Sequence, residues 1–108
     1  MPREAAPARH EIPEIDAAAL RAASAAEAAW RAADTVGLDR WATFLQRIPD
    51  LLRDGSLRDV RASARTARAA FGPKDSIRDA LPGEVTEPLL DAIDRLLKAI
   101  ARYDAHRD

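Results

Sequence analysis

Few residues in this sequence could do chemistry, and those few lie far apart. The only histidines are His10 and His106, one near each end, and cysteine is absent. A nucleophile–base pair needs Ser, Cys, Thr or Lys beside a base that a third group orients. Chain ends are ordinarily solvated, so both histidines read as solvated terminal residues. Without cysteine the chain has no thiolate nucleophile, no cysteine-ligated zinc and no disulfide framework. Helical carboxylates can hold a metal pair, but that chemistry uses Glu-x-x-His on facing helices, and no such step occurs. Asp91 with Arg95, and Asp94 with Lys98, instead form acid-first pairs four residues apart, the spacing of ion pairs on one helix face. Glycine occurs singly at 37, 55, 72 and 83, so no Gly-rich phosphate loop exists. The sequence predicts no catalytic residue, no metal ligand, no cofactor and no enzymatic activity.

The most informative polar feature is a run of arginines. Arg58, Arg61, Arg65 and Arg68 stand at offsets 0, 3, 7 and 10, which lines them along one side of a helix. Between residues 40 and 68 there are seven Arg against three Asp, while both flanks are net acidic. Three readings compete. The stripe is a solvated face whose stems cover the edge of the core. Or it docks on an acidic protein surface, including the acidic segments of a second copy. Or it contacts phosphates, for which the guanidinium is suited. No aromatic residue is interleaved with the stripe, which argues against single-strand binding. The whole chain has a formal net charge of −1, which argues against a dedicated nucleic-acid protein.

The elements that position these residues are helices. Residues 1–13 hold three prolines among Ala and charges and read as a flexible arm. Asp16 is expected to cap a first, Ala-rich helix running to about Thr35, with Leu20 and Trp30 as its large apolar positions and Ala23, Ala26 and Ala33 on the same stripe. Gly37 is its stop. A second helix runs from Asp39 to Arg53. Trp41, Phe44, Leu45, Ile48, Leu51 and Leu52 keep their phase through Pro49, which predicts one kinked helix, with a broken pair as the alternative. Trp41 shares the phase of Phe44 and Ile48, which assigns it to the core. Ser56 caps a third helix whose apolar stripe is Leu57, Val60, Ala64, Ala67 and Phe71. Gly72-Pro73 ends it. A helical turn from Ser76 should bury Ile77 and Leu81, and Pro82-Gly83 reads as a tight turn. Thr86 is expected to cap a last helix that presents Leu89, Ile93, Leu96 and Ile100, with residues 105–108 frayed.

No stretch alternates like a strand. The expected fold is therefore all-α: a small antiparallel bundle of about four helices over residues 14–104, behind a flexible N-terminal arm. At 108 residues the chain fits one domain with a modest core. No run of 18 apolar residues occurs, so no membrane span is expected. Arg3 and Arg9 are not followed by the apolar stretch of a secretory signal, and a cytoplasmic protein is expected.

In order of features the chain resembles a family of small actinobacterial-type helical proteins associated with CATRA proteins in predicted caspase-like peptidase conflict systems. The resemblance runs from about Trp30 to Ile100. It rests on Trp30 and Arg40-Trp41, the aliphatic run Ile48, Leu51 and Leu52, then Gly55, Leu57 and Arg61. Gly72-Pro73, Pro82, Pro88 and the Asp94-to-Leu97 segment complete it. It implies an accessory, non-enzymatic partner in a multi-component defence system and carries over no catalytic residue.

The sequence thus predicts a protein-binding module, an adaptor or regulatory subunit whose partner is another protein. Its contact residues are Arg58, Arg61, Arg65, Arg68 and the exposed part of Trp30, since Trp and Arg are enriched at interface hot spots; the exposed part of Trp41 is a further candidate surface, although its phase favours the core. A small DNA- or RNA-contacting regulator using the third helix is the alternative. Self-association as a homo-oligomer is a separate expectation, because the Ala-rich first helix is thin on large apolar residues.

Overall fold

The computed structural model describes residues 7–106. They form a 3-10 turn, Arg9–Glu11, and six helices: α1 Pro13–Thr35, α2 Asp39–Leu45, α3 Ile48–Asp54, α4 Leu57–Ala69, α5 Ile77–Ala80 and α6 Gly83–Ala105. No strand occurs among the described residues. α1 and α6 are each 23 residues long, roughly 34 Å at 1.5 Å per residue. They run antiparallel, and Arg102 near the end of α6 pairs with Glu14 in the first turn of α1. α2 and α3 together make a second, broken leg packed on α1, and α4 packs on α3 and α6. The four legs run up, down, up, down, with α1 and α4 at opposite corners. The result is an all-α antiparallel bundle measuring 52 × 21 × 20 Å.

The core is built from unequal layers. α1 buries Ile15, Ala19, Ala22, Ala23, Ala26, Ala29 and Ala33, all at most 1% exposed. Alanine stems bury little area each but let neighbouring helices come close. The bulk comes from the other legs: Leu45, Ile48 and Leu52, then Val60, then Leu89, Ile93, Leu96 and Ile100. Leu20, expected on the buried stripe, is 45% exposed. It falls outside the arc of buried alanines, which α6 on one side and α2–α3 on the other already cover. Trp30, Trp41, Phe44 and Phe71, expected in the core, pack against it half-buried.

The second leg is broken, not kinked. α2 ends at Leu45 and α3 starts at Ile48, with Gln46 and Arg47 in a turn between them. Pro49 stands near the N-terminus of α3, where its missing N–H costs nothing. In a continuous helix its ring would clash with the Leu45 carbonyl. Two residues of turn remove that clash while keeping Leu45, Ile48 and Leu52 all facing the core.

Several helix ends follow their sequence signals. After α1, Gly37 takes φ +76°, its N–H donates to Asp34 O at 3.2 Å, and Leu38 N–H donates to Ala33 O at 2.9 Å. This is the Schellman arrangement that satisfies last-turn carbonyls. Ser56 caps α4 by accepting from Asp59 N–H at 3.1 Å, and the Asp59 carboxylate accepts in turn from Ser56 N–H at 3.1 Å. Ser76 caps α5, which buries Ile77 and Leu81.

Two helix starts differ from expectation. α1 begins at Pro13, not at Asp16, with Ile12 as its N-cap. α6 begins at Gly83 with Pro82 as its N-cap. Thr86 therefore lies inside α6, where its hydroxyl donates to Pro82 O at 3.3 Å. Of the expected flexible arm, 1–13, Arg9–Glu11 form the 3-10 turn and Pro13 opens α1. Arg9 is 11% exposed at its side chain. Its Nε donates to Asp16 at 2.8 Å and its Nη1 to Gly55 O at 3.1 Å, fastening the turn across the junction of α3 and α4. Residues 1–6 of the arm, and 107–108 of the expected frayed end, lie outside the described residues.

Candidate functional site

The arginine stripe is divided by the packing of α4 on α6. Arg61 and Arg68 lie on the α6 side of α4. Arg61 grips the Asp104 carboxylate with both terminal nitrogens, at 2.6 and 2.9 Å. The hydrogen bonds and charge of Asp104 hold the Arg61 guanidinium above its ordinary pKa, against a smaller opposing effect of burial. Arg68 donates from Nε to Asp94 at 2.9 Å. Asp94 was expected to pair with Lys98 on its own helix and is instead paired across helices. Asp91 and Arg95 form the expected pair at 2.9 Å.

Arg58 and Arg65 lie outward on α4, exposed. Neither forms an ion pair among the described residues. They are seven residues apart, roughly 10 Å along the helix axis. Trp30 lies on α1, at the opposite corner of the bundle from α4, half-buried against the core. The five residues singled out in sequence therefore do not form one surface. Two face solvent together, two tie α4 to α6, and one packs elsewhere.

A different grouping appears beside α4. A cleft of about 570 Å³ lies between α2 and the C-terminal part of α4. Trp41 and Phe44 line one side, Thr66, Ala69 and Ala70 the other, with Arg40, Lys74 and Asp75 at the rim. The two rings meet edge to face, 5.7 Å between centroids. The Arg40 guanidinium lies 5.3 Å from the Trp41 ring centroid, within cation–π range. Asp75 holds φ +51°, a left-handed conformation that costs most side chains energy and that Asp tolerates better than most. The Ile77 N–H to Ala70 O bond, 2.9 Å, closes this loop.

Sequence periodicity assigned Trp41 and Phe44 to the core and passed over Arg40 and Lys74. The signal that could have found them is the pairing of a proline-broken leg with the Gly72-Pro73 reversal, which brings residues 74 and 75 back beside α2. Pattern arguments along one helix do not contain that return.

The histidines stand at the same end of the bundle. His10 lies exposed in the 3-10 turn, and His106, also exposed, sits at the end of α6 with Nδ1 2.7 Å from Arg102 O. Among the described residues no three His, Cys, Asp or Glu side chains gather as a metal site. Among the described residues no helix is long and apolar enough to cross a membrane.

The chain matches no family model, no curated protein and no solved structure. What it can do chemically rests on its own side chains, among them guanidiniums without a carboxylate partner among the described residues and an aromatic cleft.

Proposed function

We propose that this chain is a non-enzymatic protein-binding module, an adaptor or regulatory subunit that engages an acidic surface of another protein through α4. The observation that carries this reading is the division of the stripe. Arg61 and Arg68 already have carboxylate partners within the fold, whereas Arg58 and Arg65, on the same helix, have none among the described residues. Guanidiniums on a rigid helix, already presented outward, bind carboxylates with little further loss of freedom. A role in a multi-component conflict system, as the CATRA-associated resemblance implies, fits such an accessory module and is part of this proposal, as is a cytoplasmic location.

Phosphate contact by α4 is the competing reading. It is weakened because two of its four cations are engaged with α6, and sequence-independent affinity grows with the number of phosphates neutralised. Self-association loses its original motive. The alanine stripe of α1 is covered by neighbouring helices, and among the described residues Leu20 and Val36 are the large apolar side chains left exposed.

The test is capture from a nuclease-treated host lysate by the parent and by Arg58→Glu/Arg65→Glu. The proposal expects one protein recovered by the parent and lost by the variant. Nucleic acid that co-purifies only without nuclease, with no protein enriched, would replace it with the phosphate reading.

A further inference from the structure

We infer that the α2–α4 cleft is the seat of one short acidic segment of that partner: an extended stretch whose apolar side chain enters between Trp41 and Ala69–Ala70 while flanking carboxylates meet Arg40 and Lys74. This rests on the reading of the chain as a protein-binding module and says what the partner presents to it. The cleft has two chemistries side by side. Its interior is aromatic and methyl: Trp41, Phe44, Ala69 and Ala70. Its rim carries Arg40 and Lys74, neither of which forms an ion pair among the described residues. A volume of about 570 Å³ falls within the range of roughly 300–1,000 Å³ that ligand pockets occupy. It admits an anchoring side chain and its neighbours but not a whole helix.

The positive charge continues beyond the cleft. From Ala69 back to Arg58 along α4 is roughly 16 Å, a length that about five residues of extended chain span. Arg65 and Arg58 stand along that path. Asp75 is the one carboxylate among the residues that line the cleft, so the pattern favours an anchor with a few spaced acidic residues over a uniform polyanion. A single nucleic-acid strand fits less well. Arg40 covers one face of Trp41, and base stacking on exposed aromatic faces is what such binding uses.

The experiment is a selection of randomised 12-residue peptides, displayed on phage, against the full chain. The probes carried forward are the enriched peptides made synthetically and a dT12 oligonucleotide. Each is titrated against the parent and against Arg40→Glu/Lys74→Glu, whose altered residues are exposed and do not test the core. The expected peptides carry Asp or Glu on both sides of an aromatic or aliphatic residue. They should bind the variant at least tenfold more weakly. With Trp30→Phe as background, their binding should also shift the emission of Trp41. Peptides without carboxylates, acidic peptides that bind the variant as well as the parent, or no enrichment at all would overturn the cleft as the seat. The module reading would then stand or fall on its own capture test. Binding of dT12 to the parent, lost in the variant while no peptide binds, would overturn both.

Discussion

Gly37 and Gly55 both end helices, for different physical reasons. Gly37 needs its backbone conformation: φ is +76° and a Cβ there would meet nothing within 4 Å. Gly55 needs its missing side chain: a Cβ would lie 2.3 Å from Leu51 O and 2.7 Å from the Asp59 Cβ. Gly37→Ala is expected to cost about 1–2 kcal/mol through backbone strain alone. Gly55→Ala is expected to cost about 1–3 kcal/mol, because main chain has to move. Urea unfolding checks both, with a lowered midpoint and an unchanged slope as the expected result. At this scale the sequence was readable wherever the signal was local and unopposed, as at Gly37, Ser56 and Ser76. It misled where two cap signals competed. Asp16 and Thr86 resemble N-caps, but Pro13 upstream takes the first position of α1, where its fixed φ suits the helix, and Pro82, with extended backbone, is itself the N-cap of α6. Thr86 then bonds back to a carbonyl of its own helix.

At the scale of elements, the closeness of α1 to its neighbours depends on its alanines. Ala22 is fully buried, and Ala22→Leu is expected to destabilise by about 1–3 kcal/mol through overpacking, although leucine is nearly as good a helix former. Ala17→Leu, on the exposed side of α1, should leave the melting temperature nearly unchanged. Leu96→Ala, in a fully buried position of α6, should cost about 2–5 kcal/mol. Thermal melts of the three variants give the comparison, and equal effects of Ala22→Leu and Ala17→Leu would refute close packing on that face. The number and type of helices were legible because apolar residues recur at helical spacing. The break at Gln46–Arg47 was the less favoured alternative, since phase is kept across it and periodicity cannot distinguish a kink from a two-residue turn. The inter-helix partners of Arg61 and Arg68 were illegible for another reason: Asp104 and Asp94 lie 43 and 26 residues away, and a stripe on one helix does not say which neighbour it faces.

For the whole molecule, the proposed function divides the work between alternate members of one arginine stripe. The most direct test measures stability and partner capture side by side on two double variants. Arg61→Gln/Arg68→Gln removes the ties between α4 and α6. It is expected to destabilise by about 1 kcal/mol, since both pairs are part-exposed and such pairs contribute little, while still recovering the partner. Arg58→Gln/Arg65→Gln is expected to unfold within about 0.5 kcal/mol of the parent, as surface substitutions do, and to recover no partner. An Arg58→Gln/Arg65→Gln variant that captures the same protein as fully as the parent would rule out α4 as the contact surface.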